Sequence, residues 1–152
     1  MPSIRETKSL PYSAEQMFDL VADVDKYPEF LPWVVATRVR RDDEHAMTAD
    51  MLVGFKAIRE KFTSKVQKNR PSTIDVHYVD GPLRDLDNRW TFTPTDEGCE
   101  IFFSVDFAFK SKMFEALAGQ YIDRAFRKMV AAFETRADEL YGSRSSSAQS
   151  VA

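Results

Sequence analysis

The side chains able to carry acid–base chemistry in this chain are few, and most fall on polar registers. Asp50, Asp75, Asp85, Asp87 and Asp106 alternate with apolar neighbours. Alternation sets Asp50 opposite Met47, Met51 and Phe55, and sets Asp106 opposite the apolar positions of its own segment. Charged side chains on such registers are solvated rather than catalytic. Glu60 is different, because it sits between Ile58 and Phe62 on an apolar register, where a carboxylate needs a partner. Arg84 and Asn88, on the apolar register of a later segment, could each supply one. A structural ion pair Glu60–Arg84 is the first reading, and a ligand-polarising acid the second. His77 lies beside Asp75 on a polar face and reads as a surface histidine. His45, His77 and the single Cys99 share no ligand spacing, which argues against zinc, and one cysteine forms no internal disulfide. The sequence holds no Ser/His/Asp pattern, phosphate loop or metal motif. Its residue types therefore predict no catalytic site.

The basic residues form rows. Arg59, Lys61 and Lys65 share one register, as do Arg38 and Arg40. Rows of this kind are ordinarily the solvated side of a half-buried sheet. The sharper reading is a docking face for anionic headgroups or RNA. The overall balance is acidic, with a formal net charge of −3, which argues against a generic nucleic-acid binder and against DNA as a partner, while leaving room for a local basic patch.

These side chains must be positioned by one domain, since 152 residues build a real core but not two. Hydrophobic residues make up 43% and charged ones 30%, as in ordinary globular proteins; the bias is aromatic, with 12 Phe against 5 Gly. No apolar run reaches membrane-spanning length, and "MPSIRETKSL" has no apolar leader core, which predicts a cytoplasmic chain.

"SIRETKSL" reads as a first strand. In "PYSAEQMF", Ser13 is placed to cap a helix and Gln16 to reach back to it, with Tyr12 and Met17 at the staple positions. Next comes "DKYPEFLPWV", Asp25 to Val34, too proline-broken for a long element and rich in aromatic surface. It predicts a short helical turn with Pro28 near its start. From Trp33 to Phe109 the period becomes two. Six strands follow, in "WVVATRVRR", "AMTADMLVGF", "AIREKFTSKV", "TIDVHYVDGP", "RDLDNRWTFTP" and "EIFFSVDFAF", each with one apolar face. In the first of them the apolar register is read as Trp33, Val35, Thr37 and Val39. From Ser111 to about Tyr141 the period returns to 3.6, giving one long amphipathic helix. Gly142 is a plausible stop, and 142–152 read as a disordered tail after a domain spanning 1–141.

A single antiparallel sheet with one apolar face must cover it, and the final helix is the one long element able to do so. A seven-stranded sheet twists and curls, so a straight helix laid across it cannot touch both ends. The space between is either filled or left as a pocket.

Order and motifs together resemble the START-like, helix-grip superfamily. Within it they are similar to the branch holding coenzyme Q-binding proteins, ribosome association toxins and polyketide cyclase-like proteins. The residues that carry the resemblance are "YPEFLPW" (Tyr27–Trp33), "GFKAIREKFTSKV" (Gly54–Val66) and "DGPLRDLDNRWTF" (Asp80–Phe92), within a likeness running from Ile4 to Leu140. It implies an α+β helix-grip fold, in which a curved seven-stranded antiparallel sheet wraps the long C-terminal helix and two short helices separate strands 1 and 2. It also implies an internal hydrophobic cavity. The lining expected on that architecture is Trp33, Val35, Met51, Phe62, Tyr78, Trp90, Phe103, Phe114, Leu117 and Tyr121. Tyr27, Phe30 and Leu31 would form the rim or touch a membrane, or else plug the end of the core. The implied role is binding or transport of an isoprenoid quinone-like molecule such as ubiquinone, or of a lipid. No cofactor is expected beyond that guest, and transient contact with an inner membrane is. The second role is a ribosome-associated module that binds the large subunit and blocks subunit joining. The third is a polyketide cyclase or aromatase, which would need an acid or base in the pocket and finds Glu60 as its one candidate.

Overall fold

Ser13 divides the first strand from the first helix. Its Oγ accepts the Gln16 backbone N–H at 3.0 Å, while Gln16 Oε1 accepts the Ser13 N–H at 2.9 Å, so two otherwise orphaned helix-start donors are satisfied reciprocally. This computed structural model describes residues 3–55 and 58–142, with the side chains at 55, 58, 114 and 117–123 outside the described set. Strand β1 is Ser3–Leu10 and helix α1 is Ala14–Ala22, followed by a 3₁₀ helix, Val24–Glu29. Pro28 falls near the end of that helix rather than near its start. The remaining strands are β2 (Val34–Asp42), β3 (Ala46–Phe55), β4 (Ile58–Asn69), β5 (Thr73–Asp80), β6 (Leu83–Thr95) and β7 (Gly98–Phe109). Helix α2, Lys112–Ala137, closes with a π-helical turn, Asp138–Gly142. The tail expected over 142–152 lies, from 143 on, outside the described residues.

All seven strands form one antiparallel sheet in the order β1-β7-β6-β5-β4-β3-β2. Strands β1 and β2 are consecutive in sequence yet occupy opposite edges, so α1 and the 3₁₀ helix must carry the chain from one edge to the other. That route lays apolar side chains of α1 against the sheet's inner face. Met17 and Phe18 are buried there, Phe18 meeting Phe92 edge-on at 5.7 Å.

The sealed core lies under α1 and the C-terminal part of α2. Ile101, Phe103, Val105 and Phe107 of β7 alternate inward, with Trp90 and Phe92 of β6 beside them. Val130, Phe133 and Ala137 cover them from α2. Ion pairs fix that end of the helix: Lys8 to Glu134 at 3.4 Å and Arg136 to Glu29 at 2.8 Å. Arg136 also stacks over the Phe30 ring at 5.3 Å. The helix packs chiefly on α1, β1 and β7, toward one edge of the sheet.

Candidate functional site

Strands β3, β4 and β5 build the other half of the inner wall. In β3, Met47 and Ala49 are buried and Met51 and Val53 follow on the same register. The pairings Met51↔Phe62, Val66↔Val76 and Ser64↔Tyr78 carry that face across to β5. Met51, Phe62, Val76 and Tyr78 are only half-buried, as is Leu86 of β6. Phe62 and Tyr78 meet edge-on with ring centroids 6.3 Å apart. The Leu83 N–H donates to the Tyr78 hydroxyl at 2.9 Å, and no acceptor for the phenol's own proton is found among the described residues. Burial raises the pKa of that phenol, which is therefore neutral at physiological pH. Gly81 makes this turn possible: at φ 149° it occupies backbone space that side chains rarely enter, and a Cβ would lie 2.7 Å from the Tyr78 hydroxyl.

The sequence-predicted lining thus divides. Met51, Phe62 and Tyr78 come together on the half-buried inner wall. Trp90 and Phe103 are 4% and 1% exposed; their rings are 4.7 Å apart, and Trp90 also meets Phe133 at 5.2 Å. They belong to the sealed core instead. Trp33 is half-buried just before β2, where its carbonyl accepts the Gly54 N–H at 2.8 Å. The side chains of Phe114, Leu117 and Tyr121 lie outside the described residues. Val35 requires correction: it is 49% exposed, on the outer face against Gly54. A β-bulge between Val34 and Ala36 turns Val34 inward in its place.

The expected rim is also corrected. Tyr27 and Leu31 are 9% and 3% exposed and plug the core. Tyr27 donates its hydroxyl to the Val21 carbonyl and meets Phe133 edge-on at 5.3 Å. Burial pushes its pKa up strongly. Phe30 is half-buried between Phe133 and Arg136. The aromatic wealth of "DKYPEFLPWV" therefore anchors the 3₁₀ helix on α2. The Glu60–Arg84 pair is not formed. Glu60 does face inward, opposite Val53, but a bulge between Leu83 and Asp85 leaves Arg84 exposed. Asn88, the other candidate partner, accepts from Trp90 Nε1 at 3.1 Å and donates to the Ser104 carbonyl at 2.8 Å.

Val76 and Leu86 belong to the wall and were not in the expected lining. Their registers, two residues before Tyr78 and four before Trp90, were the available signal. Among the described residues no group of His, Cys, Asp or Glu side chains could hold a metal, and no helix is long and apolar enough to cross a membrane.

A curved antiparallel sheet gripping one C-terminal helix, with two short helices carrying the chain between the edge strands, defines the START-like, helix-grip class. The chain belongs to the polyketide cyclase / dehydrase and lipid transport family, whose model matches residues 10–134. It is 40% identical to the ribosome association toxin RatA of Escherichia coli over 95% of this chain and 92% of that protein. It is 36% identical to the mitochondrial coenzyme Q-binding protein COQ10 homolog B of Xenopus laevis, over 90% of this chain and 58% of that one. A START superfamily protein of Mycobacterium smegmatis superposes with a TM-score of 0.73 at 18% identity, covering 91% of this chain and 98% of its own, a likeness of fold alone.

Proposed function

We propose that this chain binds a hydrophobic, isoprenoid quinone-like ligand against the inner wall of β3–β5, exchanging it with a membrane surface as a peripheral visitor. The observation that carries this reading is the contrast between two halves of one concave face. Under α1 and the end of α2 the inward rings are sealed, whereas Met51, Phe62, Val76, Tyr78 and Leu86 keep accessible apolar surface. Covering ~300 Å² of ligand and wall at ~25 cal/mol/Å² gives a gross ~7 kcal/mol before association costs, so few polar anchors are needed. The Tyr78 hydroxyl, with an unspent proton, is suited to a quinone carbonyl. The likeness to a coenzyme Q-binding protein supports the same ligand class. A cyclase would need an acid or base on this wall. Glu60 is the one acidic side chain facing it from β3–β5 among the described residues, and the named relatives above are a binding protein and a toxin. Lipid extraction and mass spectrometry of protein purified without detergent should return a polyprenyl quinone. Protein that carries none and takes up no added ubiquinone would remove the reading.

A second reading, association with the large ribosomal subunit, is favoured by the 40% identity to a ribosome association toxin. It would use the outer face of the sheet and leave the inner wall free, so the two readings are experimentally separable.

A further inference from the structure

The outer face of the sheet is charged unevenly. On β2–β4 it presents Arg38, Arg40, Arg59, Lys61 and Lys65, all exposed, against the single carboxylate of Asp50. That carboxylate is already spent: Arg40 Nε reaches it at 2.8 Å, and the Thr63 hydroxyl donates to it at 2.7 Å. Arg38, Arg59, Lys61 and Lys65 form no contact ion pair with a carboxylate among the described residues, Lys61 acting on Asp50 only at longer range. On β5–β7 the balance reverses. Asp75, Asp87 and Asp106 face outward there, and the cations beside them are engaged, Arg89 with Asp75 at 2.7 Å and Arg5 with Asp106 at 3.0 Å. This acidic half holds a shallow groove of ≈ 370 Å³.

We propose that the outer face of β2–β4 is a docking surface for the phosphate backbone of RNA. The inference deepens the ribosome-association reading and rests on it. Alternate residues of a strand lie roughly 6.6 Å apart, so Arg59, Lys61 and Lys65 line about 20 Å of β4 in single file. Arg38 stands two strands away at the level of Thr63, between Lys61 and Lys65. Such a row is matched to successive phosphates on one nucleic-acid strand. Gly54 contributes by lacking a side chain: a Cβ there would lie 1.9 Å from Arg59 Nη1, so the guanidinium occupies the space over this position of β3. A lipid surface fits less well. The outward side chains described on β2–β4 include no aromatic ring, and their accessible apolar surface is aliphatic, from Val35 and Ala36 with Leu52 half-buried beside them. The acidic half would repel the backbone, confining it to one side and fixing its direction.

The test is co-sedimentation of the full chain with purified ribosomal subunits, with a naked ribosomal RNA fragment and phosphatidylglycerol vesicles as further arms. Four phosphate contacts predict that raising monovalent salt from about 50 to 200 mM weakens association on the order of a hundredfold. Arg59→Glu, Lys61→Glu and Lys65→Glu together should weaken subunit and RNA binding by more than tenfold and flatten the salt slope by about three. The same charge change on exposed residues elsewhere, Lys110→Glu, Arg124→Glu and Lys128→Glu, should alter it less than twofold. Circular dichroism melts of both variants check folding. Wild-type protein that binds neither subunit removes the ribosome reading and this inference with it. Wild-type binding to the large subunit that survives the β4 reversal overturns the inference alone. Reversal that abolishes vesicle binding while RNA binding is unchanged assigns the face to lipid and overturns it as well.

Discussion

Arg40 and Asp50 are joined by a two-pronged ion pair across β2 and β3, and Thr63 of β4 donates its hydroxyl to the same carboxylate. One carboxylate thus ties three adjacent strands together on the outer face. The Arg40 hydrogen bond, with that of Thr63 after it, holds the Asp50 carboxyl well below the usual carboxylate range, at about 2. A depressed folded-state pKa gives stability that is full above the ordinary value near 4 and is lost as pH falls toward about 2. Asp50→Asn should lower stability at neutral pH by about 1 kcal/mol, a small figure because Arg40 is exposed and solvent screens the pair. The variant's melting temperature should fall less than the wild type's between pH 4 and 2. Parallel acid limbs would contradict the assignment.

At the opposite edge, Tyr12 donates its hydroxyl to Asp138 and so fastens the entry to α1 onto the end of α2. That hydrogen bond and then burial push the phenol up to about 12. The sign here is the reverse: the contribution is complete below pH 10 and disappears as pH rises from 10 toward 12. Ultraviolet titration should find this tyrosine ionising about two units late. Tyr12→Phe should cost about 1 kcal/mol, some 2–4 °C, with amide exchange accelerated at 138–142. Unchanged exchange there would mean that the contact does not anchor the helix end.

Sealed and accessible halves of the inner face predict different mutational signatures. Phe103→Ala empties a packed site and should cost about 3–5 kcal/mol in denaturant melts. Phe62→Ala, on the half-buried wall, should cost about 1–2 kcal/mol yet weaken quinone uptake at least tenfold. Equal stability costs for the two would show that the wall is as closed as the core.

Tyr78→Phe isolates the hydroxyl proposed to anchor the guest on the wall. Losing a neutral hydrogen bond of about 1 kcal/mol should weaken a quinone about fivefold in fluorescence titration. A polyprenyl hydrocarbon without carbonyls should bind the variant and the wild type alike. If both ligands weaken equally, the hydroxyl acts on the turn at Gly81 and Leu83 and not on the guest.

Most of the fold was legible because alternation is unambiguous where apolar and polar residues strictly interchange. Met47, Ala49, Met51 and Val53 of β3, and Ile101, Phe103, Val105 and Phe107 of β7, face inward as their spacing required. The site was legible only in part. Val34 and Val35 are identical residues in tandem, so nothing in their types says which a bulge will turn outward. Arg84 was displaced by a second bulge at a turn built on Gly81, where long-range pairing with β7 decides the register. Tyr27 and Leu31 are rim-like in composition, but Phe133, more than a hundred residues downstream, covers the 3₁₀ helix that carries them. Each miss lies where a distant strand or helix overrules the local period.

The central claim is that the inner wall of β3–β5 is where a hydrophobic guest sits. Its most direct test is NMR titration of isotope-labelled protein with a short-chain ubiquinone, following backbone amide, methyl and aromatic resonances. Saturable shifts at Met51, Phe62, Val76 and Tyr78, with Arg38, Lys61 and Lys65 on the outer face undisturbed, are the expected result. Shifts confined to the outer face, or none at millimolar quinone, would contradict the account.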